Sequence, residues 1–396
     1  MSAAPAPAAV PLPRLGHAGS DWALRHMPLL ATTVRRHAAA LVGRRVAMCL
    51  HVEPKTAALV ALLREAGAEI TLTGSPGTTQ DDTADALRAT GTTVHGRRGD
   101  GPAEHRRNID RVLECDPHLL LDNGGDLTVA ALAALDGGGL HELIGGTEET
   151  TTGGLRIREL PAPPPFPVVV INDSRLKLLV ENEYGVGQSV VQGFMNATNL
   201  MLPGSRATVV GYGPCGLGTA RTLARLGARV AVAETDPYRA LEAVMHGHEV
   251  GDLATLLPRT RLLFLATGHP GVIGAGELDA LADGAIIAGV GHQPWELDSG
   301  ALAARTASVV RYGSAGDERA VHRLHDGREL TVLAGTRMIN LTAAKGNPIQ
   351  AMDLGLTLQA RSLAAVATLP LAPGAQPLPA EADREIAADL LTHLTA

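Results

Sequence analysis

Aromatic side chains are scarce in this sequence, which has three Phe, four Tyr and two Trp among its 396 residues. So few rings leave almost no stacking platforms for nucleic-acid bases. The formal net charge of −7 also provides no basic surface for a phosphate backbone. Together these shortages exclude nucleic acid as an expected partner.

Cysteine is equally rare. Cys49, Cys115 and Cys215 are widely spaced, each lies in or beside an apolar run, and no pair has the spacing of a CxxC motif. This pattern predicts reduced thiols in a cytoplasmic protein, with neither disulfides nor a metal site.

Long apolar segments are missing as well. The runs at residues 168–171 and 285–290 have the length of a strand, far short of the roughly 20 residues that a membrane-spanning helix needs. Residues 1–13 are rich in Ala and Pro and have neither a basic start nor a signal-peptide core. We therefore expect no membrane association, and we expect a disordered tail at the beginning of the chain.

Short aliphatic runs alternate with helical patterns along most of the chain. The first strands are predicted at residues 46–50, 69–72, 93–95 and 119–121, and helices begin near residues 55, 82 and 104. This alternation is typical of a doubly wound α/β domain. A proline cluster at residues 161–167 cannot enter a sheet interior, so it predicts a rigid connector to a strand at 168–171.

A second alternating series follows the connector. It starts with a helix at 188–200 and continues with strands at 228–234, 261–266, 285–290 and 309–310. An amphipathic stretch at 381–394 predicts a surface helix or a tail that contacts a partner.

The most specific motif is the segment 209–218, where a β-branched strand leads into a glycine turn that opens a helix. Gly211 permits the sharp turn, Gly213 lets the backbone approach a pyrophosphate, and Gly216 lets the helix pack closely on the strand. Glu234 ends the next predicted strand, where a carboxylate accepts both ribose hydroxyls and repels a 2′-phosphate. The motif therefore predicts a site for NAD in preference to NADP.

Several further phrases occur in a fixed order between Met27 and Met352. They are Cys-Leu-His at 49–51, Thr-Gln-Asp at 79–81, Gly-Gly-Asp-Leu-Thr at 124–128, Glu-Glu-Thr-Thr-Thr-Gly at 148–153, Asn-Asp-Ser at 172–174, Tyr-Gly at 184–185, Gly-His at 291–292 and Asn-Leu at 340–341. With the glycine motif, this ordered set resembles the S-adenosyl-L-homocysteine hydrolase family.

The resemblance implies a chemistry that composition cannot reveal. Members of the family hold NAD, which oxidises the 3′-hydroxyl of an adenine nucleoside and thereby acidifies the C4′ proton. The 5′ substituent then leaves by elimination, and in the hydrolases water adds to the alkene before the ketone is reduced again. Such a route needs a base at the 3′-hydroxyl and an acid or base near C4′ and C5′.

The resemblance also implies an architecture of two doubly wound, Rossmann-like α/β domains with the active site in the cleft between them. Residues 1–187 with 345–372 would form the substrate-binding domain, residues 188–344 the NAD-binding domain, and residues 373–396 a C-terminal tail. We expect the domains to close over the substrate, because a 3′-keto nucleoside must be shielded from water. A homo-oligomer, either a dimer or a tetramer, is expected.

Site residues are carried over position by position. Lys177 matches the lysine beside the 3′-hydroxyl, and His51 matches the histidine of the elimination step. The other catalytic positions are Glu181, Asn182 and Asn123. The positions for the substrate are Glu149, Thr150, Glu53, Thr56, Gln80, His292, Asn347 and Met352, and those for NAD are Gly211, Gly213, Gly216, Glu234, Thr151, Thr152, Thr267 and Asn340.

Some positions depart from the family pattern. Asn123 replaces a catalytic aspartate, and an amide cannot take a proton at neutral pH. Glu181 replaces the aspartate that pairs with the lysine, and Asn347 replaces a histidine near the adenine. The remaining departures are Val186 for a cysteine, Gln293-Pro294 for Phe-Asp at the gate, residues 53–55 for a stretch with a substrate-binding threonine and glutamate, and the lack of the family's final lysine and tyrosine after Lys345.

These departures leave three alternatives open. The first is a nucleoside lyase that loses water and stops at the 4′,5′-alkene. The second is a true S-adenosylhomocysteine hydrolase with drifted residues. The third is an NAD-binding regulator without catalytic activity, which the presence of Lys177, Glu149 and His51 disfavours.

Overall fold

The computed structural model describes residues 12–75, 77–313 and 318–395. The segment expected to be a disordered tail lies outside these residues, except for Leu12 and Pro13. The chain divides into two compact units, which are Met1–Asn172 with Asp353–Ala396, and Asp173–Met352. No helix among the described residues is long and apolar enough to cross a membrane.

The described strands are β1 Arg45–Leu50, β2 Glu69–Gly74, β3 Thr93–His95, β4 Leu119–Asp122, β5 Gly145–Glu148, β6 Pro167–Val170, β7 Arg206–Val210, β8 Arg229–Ala233, β9 Glu249–Val250, β10 Leu262–Leu265, β11 Ile286–Gly289, β12 Thr306–Tyr312, β13 Arg319–Leu324, β14 Glu329–Leu333 and β15 Gly374–Gln376. The described α-helices are α1 Ala18–Arg25, α2 Pro28–Arg36, α3 Pro54–Glu65, α4 Asp81–Ala89, α5 Pro102–Leu113, α6 Asp126–Asp136, α7 Thr151–Arg158, α8 Val186–Thr198, α9 Pro214–Arg225, α10 Pro237–Met245, α11 Leu253–Leu256, α12 Ala275–Ala280, α13 Ser299–Arg305, α14 Ile339–Thr342, α15 Ile349–Thr368 and α16 Ala380–Thr395.

The first unit is built on a parallel sheet with the strand order β15-β6-β5-β4-β1-β2-β3. Its central strands are buried along most of their length, which explains why they consist of continuous aliphatic runs. The chain proceeds from β1 toward one edge of the sheet and from β4 toward the other. The neighbours β1 and β4 therefore form a topological switch point.

The second unit repeats this order in the sheet β12-β13-β14-β11-β10-β7-β8-β9, with its switch point between β7 and β10. Among the described strands of this sheet, β13 alone is reversed, and it runs antiparallel to both β12 and β14. The predicted α/β fold with Rossmann-like order is thus confirmed.

Several strands have no recognisable strand pattern in the sequence. Gly145-Gly146-Thr147-Glu148 has no apolar run, yet it forms the fully buried strand β5. A Cβ atom on Gly145 would lie 2.6 Å from the carbonyl oxygen of Pro167, so close strand packing explains a glycine there. The predicted strand at 309–310 is the longer, mostly exposed β12, which pairs with the unpredicted β13.

A π-helical segment, Lys177–Gly185, leads directly into α8, whereas the sequence predicted a helix from residue 188. This segment packs against α9. A Cβ atom on Gly218 of α9 would collide with the carbonyl oxygen of Glu183, so only glycine allows the approach. This packing explains why the second unit begins at residue 173, before the boundary that the sequence suggested.

The C-terminal residues belong to the first unit. The strand β15 pairs with β6, and α16 packs against α2, where Arg36 forms ion pairs with Glu385 and Asp389. Near the start of α15, the carboxylate of Asp353 accepts hydrogen bonds from two backbone N–H groups in the first turn of α2. These contacts fasten the N-terminal helices to the C-terminal ones.

Candidate active site

Three polar residues predicted for catalysis or substrate binding in the first unit follow strands at or beside its switch point. His51 comes directly after β1, Asn123 directly after β4, and Glu149 directly after β5. In open α/β sheets, ligands bind outside the carboxyl ends of the strands at such a point. The fold therefore places these three residues along one edge of the sheet.

His51 is half-buried and its protonated nitrogen can be assigned from its partner. The Oγ1 atom of Thr78 lies 2.7 Å from His51 Nδ1 and donates its own proton to the carbonyl oxygen of Ser75 at 3.0 Å. Thr78 must then accept from Nδ1–H, which makes Nε2 the basic nitrogen of the neutral ring. The hydroxyl of Thr56 donates to the carbonyl oxygen of His51 at 2.6 Å and fixes the backbone.

Asn123 and Glu149 interact directly. The Nδ2 atom of Asn123 donates to Glu149 Oε2 at 2.8 Å, and both side chains are buried. A carboxylate only accepts hydrogen bonds, so this contact fixes the orientation of the amide. The Oδ1 atom of Asn123 is buried and accepts no hydrogen bond from the described residues. An acceptor is therefore available beside Glu149.

Two buried carboxyl groups hold the loops that carry these residues. Glu148 accepts from the backbone N–H groups of Gly124 and Gly125 at 3.0 Å and from the Thr150 N–H and hydroxyl at 2.7 Å. Asp122 accepts from the Asn123 N–H at 2.9 Å. Burial, together with the Asp122 charge, raises the pKa of Glu148 to about 8. The sequence phrase contained Glu148, but its role was not predicted.

Glu53 and Lys55 form a buried ion pair at the start of α3, two and four residues after His51. Lys55 Nζ lies 2.6 Å from Glu53 Oε2, and each side chain is 5% exposed. Burial raises the pKa of Glu53, and Lys55 opposes that shift. An ion pair thus occupies the stretch to which the sequence analysis assigned the substrate contacts of Glu53 and Thr56.

In the second unit, Lys177 and Glu181 form a buried ion pair one turn apart on the π-helical segment. Glu181 Oε1 accepts from Asn347 Nδ2 at 3.3 Å. Asn347 Oδ1 accepts from Ser189 Oγ at 2.9 Å and from Asn340 Nδ2 at 3.2 Å. Asn347 and Asn340, which were assigned to substrate and to cofactor, therefore share one network with the lysine.

The glycine motif has the expected strand, turn and helix context. Gly211 follows β7 with a φ of +92°, and a Cβ atom there would lie 2.8 Å from the carbonyl oxygen of Ala266. A Cβ atom on Gly216 would collide with the carbonyl oxygen of Gly211. Around Gly213, by contrast, the nearest atom to an added Cβ is Arg239 Nη1 at 3.5 Å, which leaves an open backbone surface next to a cation. This cradle fits a pyrophosphate.

Glu234 and Thr267 flank the glycine loop on the neighbouring strands. Glu234 follows β8 and accepts from the Tyr212 N–H of the glycine loop at 2.7 Å. Thr267 follows β10, and both its N–H and its hydroxyl donate to the buried Glu296, at 2.8 and 2.6 Å. The loops on both sides of the second switch point are thus fixed by carboxylates, and the switch point is where open α/β sheets bind dinucleotides.

The remaining predicted residues lie on the same loops and helices. Thr150 caps α7 by accepting from the Gly153 N–H at 2.8 Å, and Thr151 accepts from Asn172 Nδ2 at 2.7 Å. Four others are half-buried: Gln80 before α4, Thr152 in α7, Asn182 in the π-helical segment and His292 after β11. Met352 is also half-buried, and its Sδ atom lies 3.8 Å from Asn347 Nδ2. Among the described residues, no group of three or more His, Cys, Asp and Glu side chains is placed to hold a metal ion.

Sequence reasoning missed Thr78, Lys55, Ser189, Glu296 and Arg239. Each is joined to a predicted site residue by a side-chain contact or lies beside one. The proximity of Lys55 to His51 was visible in the sequence. The others depend on contacts between distant segments, which no local pattern contains.

The fold and the glycine loop define an α/β enzyme with a dinucleotide-binding unit. The family model described as "S-adenosyl-L-homocysteine hydrolase, NAD binding domain" matches residues 182–346, and that described as "S-adenosyl-L-homocysteine hydrolase" matches residues 9–138. The chain is 37% identical to S-inosyl-L-homocysteine hydrolase of Methanopyrus kandleri, over 95% of this chain and 90% of the relative.

Two adenosylhomocysteinases match at a similar level. That of Aeropyrum pernix is 39% identical over 88% of this chain and 84% of its own length. That of Thermotoga maritima is 38% identical over 86% of this chain and 84% of its own length. The chain belongs to the S-adenosyl-L-homocysteine hydrolase family, as the sequence predicted, and it is an NAD-binding enzyme.

Proposed function

We propose that this enzyme is a nucleoside dehydratase. Its substrate is a nucleoside with free 3′- and 5′-hydroxyls, and its products are water and a 4′,5′-unsaturated nucleoside. The competing function is hydrolysis of a thioether, which the names of the relatives from Methanopyrus kandleri and Aeropyrum pernix favour.

Asn123 is the observation that carries the proposal. Its amide nitrogen donates to Glu149, which fixes the amide, and its Oδ1 atom is a buried acceptor without a hydrogen bond among the described residues. A leaving hydroxyl has a proton to donate to this atom, whereas a thioether sulfur has none. Leaving such an acceptor unpaired in a bound complex costs about 1–3 kcal/mol, so a 5′-hydroxyl fits this position better.

The proposed roles follow from the contacts of each residue. Glu149 accepts from the ribose hydroxyls and orients the sugar, and Asn123 keeps its carboxylate in place. Lys177, in its neutral form, removes the proton of the 3′-hydroxyl. NAD held at the Gly211 and Gly213 loop would supply the hydride acceptor for oxidation at C3′ and, in its reduced form, the hydride for the final reduction.

His51 performs both proton transfers of the elimination. The Nε2 atom, which is unprotonated in the tautomer that Thr78 selects, takes the C4′ proton. The same proton then goes to the departing 5′ oxygen as the C5′–O bond breaks and the C4′–C5′ double bond forms. Asn123 cannot share this task, because an amide neither takes nor releases a proton at neutral pH. Reduction of the ketone completes the reaction, with one water lost.

The test compares four substrates with the NAD-loaded protein. Adenosine and inosine offer a 5′-hydroxyl, and S-adenosyl- and S-inosyl-homocysteine offer a thioether. Mass spectrometry should show loss of one water from a nucleoside and little release of homocysteine. Homocysteine release at an ordinary enzyme rate, about 1 per second or faster, would show that the protein is a hydrolase. No reaction with any nucleoside, despite bound NAD, would favour the regulator.

A pair of variants at Asn123 tests the leaving-group argument. Asn123→Asp restores a carboxylate that can exchange a proton, so it should gain thioether hydrolysis. Asn123→Leu keeps the side-chain volume and removes the acceptor, so dehydration should slow by about 10-fold or more. Unchanged dehydration in Asn123→Leu would contradict the assigned role.

A further inference from the structure

We propose that Asn347 is a positioning residue that holds Glu181 against Lys177 and so sets the pH at which Lys177 accepts a proton. This inference rests on the proposed function, in which Lys177 is the base at the 3′-hydroxyl. It reassigns Asn347, which the resemblance placed in the nucleobase pocket.

The hydrogen-bonding capacity of Asn347 is committed inside the protein. Its Oδ1 atom has two lone pairs, and these accept from Ser189 Oγ at 2.9 Å and from Asn340 Nδ2 at 3.2 Å. Its Nδ2 atom has two protons, one directed to Glu181 Oε1 at 3.3 Å and the other toward Met352 Sδ at 3.8 Å. No strong donor or acceptor of this amide remains for a nucleobase.

The orientation of the amide is fixed by its partners. A carboxylate can only accept, so the nitrogen of Asn347 must face Glu181. Ser189 supports this arrangement from the other side, because its hydroxyl donates to Asn347 and accepts from Asn340 Nδ2 at 3.3 Å. Ser189 and Asn340 thus hold the amide of Asn347 in the orientation that directs its nitrogen to Glu181.

The charged form of Glu181 depends on the hydrogen bond from Asn347, because the carboxylate is buried. Glu181 lies one turn from Lys177 on the π-helical segment, and both side chains are nearly inaccessible, at 4% and 3% exposure. A buried carboxylate loses its solvation, so a hydrogen bond to it stabilises the charged form. The charged form in turn stabilises the protonated amine of Lys177. The hydrogen bond from Asn347 therefore acts on Lys177 through Glu181.

Two other sets of titratable groups near Lys177 are either neutral or paired with an opposite charge. Cys215 on α9 interacts with Lys177, but burial raises the pKa of its thiol to about 12, so it stays neutral. On the same π-helical segment, Glu183 is paired with Arg221 of α9. Their opposite charges largely cancel at a distance.

The chain offers a direct measurement, because Lys55, Lys177 and Lys345 are its three lysines. Labelling lysine with ¹³C in the NAD-loaded protein gives three Cε signals, and Lys177→Met assigns one of them. In Asn347→Leu, Lys177 should titrate at a pH lower by about one unit, the size of one hydrogen bond to a charged group. Asn347→His restores a donor and should recover most of the shift. Ser189→Ala removes one support of the amide but keeps the bond from Asn347 to Glu181, so it should produce a smaller shift in the same direction.

Kinetics provide the second readout. The pH profile of cofactor reduction by a nucleoside should move in Asn347→Leu in the same direction as the titration, and the ratio of kcat/KM for adenosine and inosine should stay within about 2-fold. If the titration of Lys177 does not move in Asn347→Leu, the proposal is overturned. A changed ratio for adenosine and inosine in that case would place Asn347 at the nucleobase instead. A shifted titration without turnover of any nucleoside would refute the proposed function and leave the role of Asn347 intact.

Discussion

Removing Lys55 should destabilise the first unit strongly and in a pH-dependent way. Lys55 Nζ is 2.6 Å from Glu53, and both side chains are 5% exposed, so water cannot replace the lost partner. Removing one member of a buried pair costs about 3–5 kcal/mol, because the other charge stays buried. We expect Lys55→Met to lose this amount of unfolding free energy at pH 8, and the double variant Glu53→Gln/Lys55→Met to regain most of it.

The sign of the pH dependence follows from Glu53. Burial raises the pKa of Glu53, and the opposing effect of Lys55 is lost in Lys55→Met. A carboxyl with a raised pKa in the folded state destabilises the fold as pH rises through that value. The deficit of Lys55→Met should therefore be small near pH 4 and full at pH 8. The double variant lacks the titrating carboxyl, so its deficit relative to the wild type should not grow as pH rises.

The two tryptophans make the assay specific. Trp22 is in α1, which packs against α3 in the first unit, and Trp295 is in the second unit. In a Trp295→Phe background, urea unfolding followed by fluorescence reports the first unit alone. A loss below 1 kcal/mol at pH 8, or an equal loss at pH 4, would refute the argument that the pair is buried and mutually dependent.

Three other predictions concern the cofactor, catalysis and stability. Lys177→Ala and Glu149→Gln should each reduce turnover by about 100-fold or more and keep NAD binding, measured by calorimetry; near-normal turnover in either would show that its role is misassigned. Gly218→Ala should weaken NAD retention and lower the melting temperature, since the new methyl would collide with the carbonyl oxygen of Glu183; a melting curve and NAD content like those of the wild type would contradict this. Burial raises the pKa of Asp353 to about 7, so the stability of Asp353→Asn relative to wild type should improve as pH rises from about 4 to 8, and a constant difference would count against it.

The fold and the cofactor loop were predictable because their signals are local. The glycine spacing after β7 and the acid at Glu234 lie within one strand, helix and strand unit, and the family phrases occur in chain order. The strand β5 was not predictable, because two glycines and a glutamate conceal a buried strand.

The network around Lys177 was beyond sequence reasoning for a different reason. Asn347 and Glu181 are 166 positions apart, and their contact depends on the packing of α8 and α14 in the second unit. The resemblance assigned Asn347 to the nucleobase pocket, but it could not indicate that the side chain contacts Glu181. The structure supplied the partner, and with it a different interpretation of the residue.

The π-helical segment has a consequence for how this region can change in evolution. A π-helix corresponds to an α-helix with an extra residue in its turn, and here that wide turn carries Lys177, Glu181 and Asn182. Deleting one residue from 177–185 would let the segment relax to an α-helix, with about 100° between successive side chains, and would change the relative directions of Lys177, Glu181 and Asn182. The geometry of this segment therefore depends on its length as well as on its residues. We therefore expect insertions and deletions to be absent here in functional descendants, even where the sequence itself diverges.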